Sequence, residues 1–305
     1  MIILHRFEEL PSHQNYVFGI GFFDGCHVGH QAVFQEVKRL AKEKGALPCL
    51  ITFFPHPMTL LAPAIHVSLL QSEMEKMEAM KQAGIELVLC IRPSHTFLSI
   101  SAESFLQTLK TISGLKGIVT GANFTFGKGA LGNSDLLTRY FQGTDVTVHI
   151  LPLETKENHQ ISSTDIRKLI LSGHMEEASA LLGRNYTITG DVVHGFRRGH
   201  TVLGFPTANL DVPPDRVIPI DGVYATYAVV AGRRFSSITN MGNNPTFGNT
   251  KKTIETFIFD FDETIYGKSF TLEWVHYIRG EITFSSVEAL ISQIQKDIQE
   301  AKRIL

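Results

Sequence analysis

The first half of the chain alternates short runs of apolar β-formers with stretches whose apolar residues recur at helical spacing. Tyr16 to Phe22 (YVFGIGF) predicts a strand, and His30 to Lys44 sets Val33, Val37, Leu40 and Ala41 on one face of a helix. Leu47 to Phe54 predicts a second strand. Ser72 to Ala83 predicts a helix opened by a Ser72-x-x-Glu75 capping box and stopped by Gly84. Leu87 to Ile91, Gly117 to Thr120 and Val146 to Leu151 read as further strands, with helices over Ser101 to Ile112 and Ser134 to Phe141 between them. Strands alternating with helices predict right-handed crossovers and a parallel sheet, an α/β domain whose ligand site lies outside the carboxyl ends of the strands. Chemistry in this half therefore belongs to the strand-to-helix loops.

After Ser162 two short helical segments run to Leu182 and Gly183, and the period then changes. From Tyr186 to Tyr277 the runs are short, rich in Thr, Val, Tyr and Phe, and broken by turn signals such as Pro213-Pro214, Ala231-Gly232 and Gly242-Asn243-Asn244-Pro245. This texture predicts an antiparallel β-barrel. Ser285 to Leu305 predicts a closing helix on it, with Ser285-x-x-Glu288 as a capping box and Val287, Leu290, Ile291, Ile294 and Ile298 as its apolar stripe. The change of period puts a boundary near Gly183, giving domains of residues 1–183 and 184–305.

Composition narrows the picture. A length of 305 residues fits two domains at roughly 100–200 residues each, and 43% hydrophobic with 19% charged residues is ordinary for a folded globular chain. No apolar run is long enough to span a bilayer, and Arg6, Glu8 and Glu9 stand where a signal peptide would need an apolar core, so no membrane partner and a cytoplasmic location are expected. Twenty-eight basic against thirty acidic residues leave a net charge of −2, without the basic excess of a nucleic-acid binder. A phosphate must therefore be met by a local site. Cys26, Cys49 and Cys90 are odd in number and lack CxxC spacing, so they read as buried thiols of a reducing compartment.

Four segments carry candidate chemistry in the first half. Gly21-Phe22-Phe23-Asp24-Gly25-Cys26-His27-Val28-Gly29-His30 spans the end of the first strand and the start of the first helix, where unpaired N–H groups and the helix dipole favour an anion. Gly29 permits close approach, and His27 and His30, three apart, can both reach one polyphosphate and donate hydrogen bonds as charge develops. The plainer alternative is a histidine that merely caps the helix. Thr52-Phe53-Phe54-Pro55-His56-Pro57 follows the second strand as a stiff loop. Gly121-Ala122-Asn123-Phe124-Thr125-Phe126-Gly127 follows a later strand with glycines that admit a flat ligand. Ile161-Ser162-Ser163-Thr164-Asp165-Ile166-Arg167 opens a helix with hydroxyls and a guanidinium, a second anion grip.

In this order, each after a strand, the four segments resemble the adenylyltransferase module of the prokaryotic bifunctional riboflavin kinase/FMN adenylyltransferase (FAD synthetase) family, a Rossmann-like nucleotidyltransferase with HxGH and ISSTxxR signatures. The resemblance covers about Val17 to Leu182. It implies that His27, His30 and Arg167 serve adenylyl transfer from ATP to FMN, giving FAD and pyrophosphate. Gly21, Phe23, Asp24, Gly25, Gly29, His56, Asn123, Ser162, Ser163 and Thr164 would bind nucleotide.

The second half resembles the same family's flavokinase barrel independently. Gly190-Asp191-Val192-Val193-His194-Gly195 and Leu203-Gly204-Phe205-Pro206-Thr207-Ala208-Asn209-Leu210 look like its signature, as do Asp221-Gly222-Val223-Tyr224 and Asn240-Met241-Gly242. The likeness implies that Gly204, Pro206, Thr207 and Asn209 hold ATP, and that Thr207 and Asn209, hard oxygen donors, hold Mg²⁺. It also implies that Glu255, read as pointing inward from its strand, is the base that activates riboflavin; an isolated strand glutamate more often faces solvent. One departure is that Gly199-His200-Thr201-Val202 carries His where the family has Arg, and one residue more before Leu203-Gly204. It motivates an alternative, an FMN adenylyltransferase whose degenerate barrel is a flavin-binding or regulatory module. A class I aminoacyl-tRNA synthetase fragment shares an HxGH-type site, but the chain is near-neutral and shows no KMSKS segment.

Overall fold

Residues 1–62, 64, 67–156, 159–193, 207–211, 214–243 and 252–305 are described by the computed structural model, apart from the side chains of Lys156, His159 and Asn243. Contacts divide the chain into two units, Met1–Ser163 and Thr164–Leu305.

In the first unit β1 (Ile2–Leu4), β2 (Tyr16–Ile20), α1 (Val28–Lys44), β3 (Leu47–Phe53), α2 (Met58–Leu61), α3 (Glu73–Gln82) and β4 (Leu87–Ile91) are followed by α4 (His95–Leu98), α5 (Ala102–Lys110) and β5 (Leu115–Gly121). A small antiparallel pair, β6 (Thr125–Phe126) and β7 (Gly132–Asn133), leads to α6 (Ser134–Phe141) and β8 (Thr147–Leu151); a second pair, β9 (Thr155–Lys156) and β10 (His159–Gln160), ends the unit. Six strands form one parallel sheet in the order β1-β4-β3-β2-β5-β8. The sheet is buried on both faces, which is why β2 and β4 are apolar without alternation. Tyr16, Phe18 and Ile20 pack with Phe105, Leu106 and Leu137 of α5 and α6 on one side. Val17 packs with Val33, Val37 and Met80 of α1 and α3 on the other. The chain leaves β2 toward β3 on one side and resumes at β5 on the other, so the order reverses between β2 and β5, the place where such sheets bind ligands.

The second unit holds α7 (Ser163–Leu171, starting at the division), α8 (Met175–Leu182), β11 (Tyr186–Val193), β12 (Ala208–Asp211), β13 (Gly222–Val230), β14 (Arg233–Asn243), β15 (Lys252–Ile258), β16 (Ser269–Arg279) and the closing helix Val287–Ile304. The strands close an antiparallel barrel in the order β11-β12-β15-β14-β13-β16. Its interior holds Trp274 and Tyr224, both 0% exposed and 4.8 Å apart edge to face, beside a chain of buried hydroxyls from Thr226, Ser237, Thr239 and Thr256. The closing helix lies outside, setting Ile294, Ile298 and Ala301 against Val223, Ala225, Ile238 and Phe257. Arg279 of β16 forks onto the buried carboxylate of Asp297 at 2.6 and 3.0 Å and ties the helix down.

The predicted elements differ in three instructive places. Helix α1 starts at Val28, two residues ahead of the expected start at His30, so both histidines of the first motif stand at its N-terminus. The closing helix is capped by Ser286, which accepts from the Ala289 N–H at 3.2 Å, rather than by Ser285, and Val287 at the head of the expected stripe is exposed. The contact division falls after Ser163, the first residue of α7, ahead of the change of period at Gly183. The cause is α8, whose Met175, Ala178 and Leu182 are buried in a helix packed on β11 and β16.

Candidate active sites

At the switch point of the sheet the segment from Gly21 to His27 turns sharply, with Phe23, Gly25 and Cys26 at positive φ (58°, 85° and 41°). Left-handed conformations cost a non-glycine residue about 1–2 kcal/mol, so the packing here holds this loop against local preference. Phe23 is locked by edge contacts to Phe34 at 5.1 Å and to the His30 ring at 5.3 Å. Asp24 is buried, and its carboxylate accepts the Leu70 N–H at 3.0 and 3.1 Å; its own carbonyl accepts the Ser163 hydroxyl at 2.9 Å. Asp24 therefore fastens the loop to two other segments.

The turn delivers His27 as N-cap of α1 and His30 on its first turn, the two rings stacked at 3.5 Å and 20°. A Cβ on Gly29 would sit 3.3 Å from the His27 ring and 3.6 Å from Glu154 Cβ, so the missing side chain makes room for that stack. His30 Nδ1 is buried and has no hydrogen-bond partner among the described residues, a polar atom left for a ligand. Burial, then His27, then Lys76 hold the His30 pKa well below the usual histidine value, so its ring is neutral at pH 7.

These residues wall a cavity of about 420 Å³. Of the expected nucleotide-binding residues, Gly21, Phe23, Asp24, Gly29, His56, Asn123, Ser162 and Ser163 border it with both histidines. The His56 ring stands edge-on to Phe22 at 4.2 Å, and its Nδ1 accepts from the Met58 N–H at 3.1 Å. Gly25 shapes the loop without bordering the cavity, while Thr164 and Arg167 lie on α7 in the second unit. Pro152, Leu153 and Glu154, which follow β8, also border the cavity and carry no motif. Their position after a parallel strand was the available signal.

The second candidate site emerges only from strand register. On β12, Asn209 lies directly opposite Glu255 of β15, and Glu255 lies opposite Asn240 of β14. Paired residues share a face, so three distant segments form one polar row. Phe257, two residues on from Glu255, packs under the closing helix, whereas Ile254 and Thr256, on either side of Glu255, are buried inside. Glu255 therefore faces outward, not inward as expected, and sits half-buried on the outer wall. Burial raises its pKa. Thr207, just ahead of β12, is half-buried as well. Glu281, which had no sequence signal, reaches over Gly242, where a Cβ would collide with its carboxylate and lie 3.8 Å from Asn240 Nδ2. Gly204, Pro206 and the segment carrying His200 lie outside the described residues.

Comparison with known proteins agrees with this division of labour. Residues 9–165 match the FAD synthetase family and residues 182–305 match the riboflavin kinase family. The chain is 37% identical over 290 residues to a bifunctional riboflavin kinase/FMN adenylyltransferase of Listeria monocytogenes, covering 94% of this chain and 92% of that one. A protein of the same description from Bacillus subtilis is 35% identical over 291 residues, again covering 94% and 92%. A crystal structure described as a macrolide-efflux protein from Streptococcus pneumoniae superposes with a TM-score of 0.90 at 32% identity, covering 99% of this chain and 98% of that one. Its description names a different activity from the sequence relatives; among the described residues here, no helix is long and apolar enough to cross a membrane. The chain belongs to the bifunctional riboflavin kinase/FMN adenylyltransferase family, with its FAD synthetase part first and its riboflavin kinase part second.

Proposed function

We propose that the chain phosphorylates riboflavin with ATP on its barrel to give FMN, and joins FMN to a second ATP at the edge of its parallel sheet to give FAD and pyrophosphate. The observation that carries this reading is the stacked His27–His30 pair at the N-terminus of α1, at the sheet's switch point, with His30 Nδ1 buried and unpaired among the described residues. The attacking FMN phosphate is already ionised and needs no base. Its oxygen attacks the α-phosphorus of ATP, the bond to the bridging oxygen breaks, and the electron pair leaves with pyrophosphate. The imidazoles and the N–H groups of α1 stabilise the charge that gathers there. Gly21, Asn123, Ser162 and Ser163 position the nucleotide, and Thr164 and Arg167 join this assignment through their motif alone.

In the kinase step Glu255 takes the proton of a ribityl hydroxyl while that oxygen attacks the γ-phosphorus and ADP leaves. Its burial supports the role, because a raised pKa makes it a stronger base than an ordinary carboxylate. Thr207 and Asn209 would hold Mg²⁺, which neutralises phosphate charge when bound. Their donors are hard oxygens, which suit an ion whose remaining positions are filled by phosphate and water. The match of residues 182–305 to riboflavin kinase supports a working kinase over a regulatory barrel. A cytoplasmic location belongs to the same reading, supported by three buried free thiols. Incubation with riboflavin, ATP and Mg²⁺ should yield FMN and then FAD on chromatography; FAD from supplied FMN alone would indicate the degenerate barrel, and no flavin product would refute both.

A further inference from the structure

One charged side chain near the adenylyl cavity belongs to no motif. Lys76, on α3, is 2% exposed, lodged among the apolar residues that seat this helix on the sheet. Its Nζ donates to the carbonyl of Phe53 at 2.9 Å, the carbonyl of Phe22 at 3.1 Å and Thr52 Oγ1 at 3.3 Å. Thr52 Oγ1 has already committed its own proton to the Phe22 carbonyl at 2.9 Å. All three partners of Nζ are therefore acceptors. Only an ammonium has three protons to offer them, so this geometry demands the charged form. The Phe22 and Phe54 rings lie 4.4 and 5.7 Å from Nζ and add cation–π attraction.

The tethered carbonyls belong to Phe22, in the loop after β2, and Phe53, the last residue of β3, and both residues border the cavity. We infer that Lys76 is a positioning residue for adenylyl transfer: its ammonium pins the loop after β2 to the end of β3 and keeps a fixed positive charge beside the phosphate site. A buried cation without an ion-paired carboxylate is costly, and among the described residues Lys76 forms no ion pair. A bound polyphosphate offsets that cost. Burial lowers the Lys76 pKa, opposed by Cys90, Cys26, Asp24 and Glu73. The charge also reaches the site, since Lys76 is among the groups that depress His30. The titratable groups bordering the cavity are Asp24, His27, His30, His56 and Glu154.

The inference rests on the adenylyl reading, and the full-length chain separates the two. If the unaltered protein makes no FAD from FMN and ATP, that reading fails; if it does, Lys76→Met and Lys76→Arg test the lysine. Lys76→Met should lower kcat/KM for adenylylation by about 10²-fold, the scale of a roughly 1 Å misplacement, with an unchanged far-ultraviolet circular-dichroism melt as the folding control and riboflavin phosphorylation unaffected. Losing a cation raises the His30 pKa, so the acid limb of the adenylylation pH profile should move to higher pH. Lys76→Arg keeps the charge but cannot place its protons on the same three acceptors; kcat should fall while the limb stays. Unchanged adenylylation in Lys76→Met overturns the inference, and so does an equal loss in both variants with neither limb moved. Should Lys76→Met prove insoluble, Lys76→Arg decides alone, and an unaltered kcat in it overturns the inference.

Discussion

The two units build sites by opposite means. In the first, the candidate groups come from loops that follow parallel strands, so each is a contiguous run in the sequence and the fold only has to gather the strand ends. In the second, Asn209, Glu255 and Asn240 stand in a row across three antiparallel strands. No short run contains them, and a slip of one residue in β15 would turn Glu255 to the other wall. A parallel sheet concentrates chemistry at one edge; an antiparallel barrel spreads it over a face whose register must be exact.

The sharpest way to break this comparison is to disable one site and leave the other. Glu255→Gln should lower FMN production by about 10²–10⁴-fold, the usual cost of losing a general base, while FAD formation from supplied FMN persists. Because burial raises the Glu255 pKa, the acid limb of the unaltered kinase should lie above the ordinary carboxylate range, as steady-state rates against pH would reveal. An unchanged rate in the variant would remove Glu255 from the mechanism.

The reciprocal change is His30→Ala. Losing one donor to developing charge costs about 10²–10³-fold, so FAD formation from FMN should fall by that much with riboflavin phosphorylation intact. Loss of both activities in a variant that melts normally would contradict two separate sites.

A third test concerns where the barrel unit begins. A fragment from Thr164 retains α8, whereas one from Gly183 strips it from β11 and β16 and uncovers the surface that Met175, Ala178 and Leu182 bury. Truncating one such apolar side chain costs about 2–5 kcal/mol. Thermal melts should place the shorter fragment well below the longer one, and equal melting temperatures would return the boundary to Gly183.

The smallest expected effects come from two glycines. A Cβ at Gly190 of β11 would overlap the Asp211 carbonyl of β12, the strand that carries Asn209. Gly190→Ala should cost about 1–3 kcal/mol by overpacking and slow only the kinase. Gly29→Ala meets the His27 ring at the tight distance of 3.3 Å and should slow only adenylylation, by less. Equal effects of either change on both assays would erase the distinction drawn above.

The sequence made the first site readable and the second only in part, for the same reason. The HxGH run announces itself because a helix start needs specific residues in succession, and even there periodicity placed α1 two residues late, since Val28 and Gly29 precede the apolar stripe. Lys76 was invisible because a lysine in a helix is ordinarily solvated, yet it shares the buried stripe with Met77 and Met80. Only resemblance singles out Glu255 in the sequence, and its outward face follows from strand register. The closing helix, which covers Phe257 two residues away, distinguishes outside from inside. Glu281 owes its position to close approach at Gly242, which no local pattern encodes.

The chain's single tryptophan, Trp274, is sealed inside the barrel with Tyr224 against its ring. Its fluorescence is consequently a private signal of the second unit. Denaturant titrations followed by indole emission would report the barrel alone, while far-ultraviolet circular dichroism sums over both units, so a mismatch between the two curves would time the loss of each half within one unmodified chain.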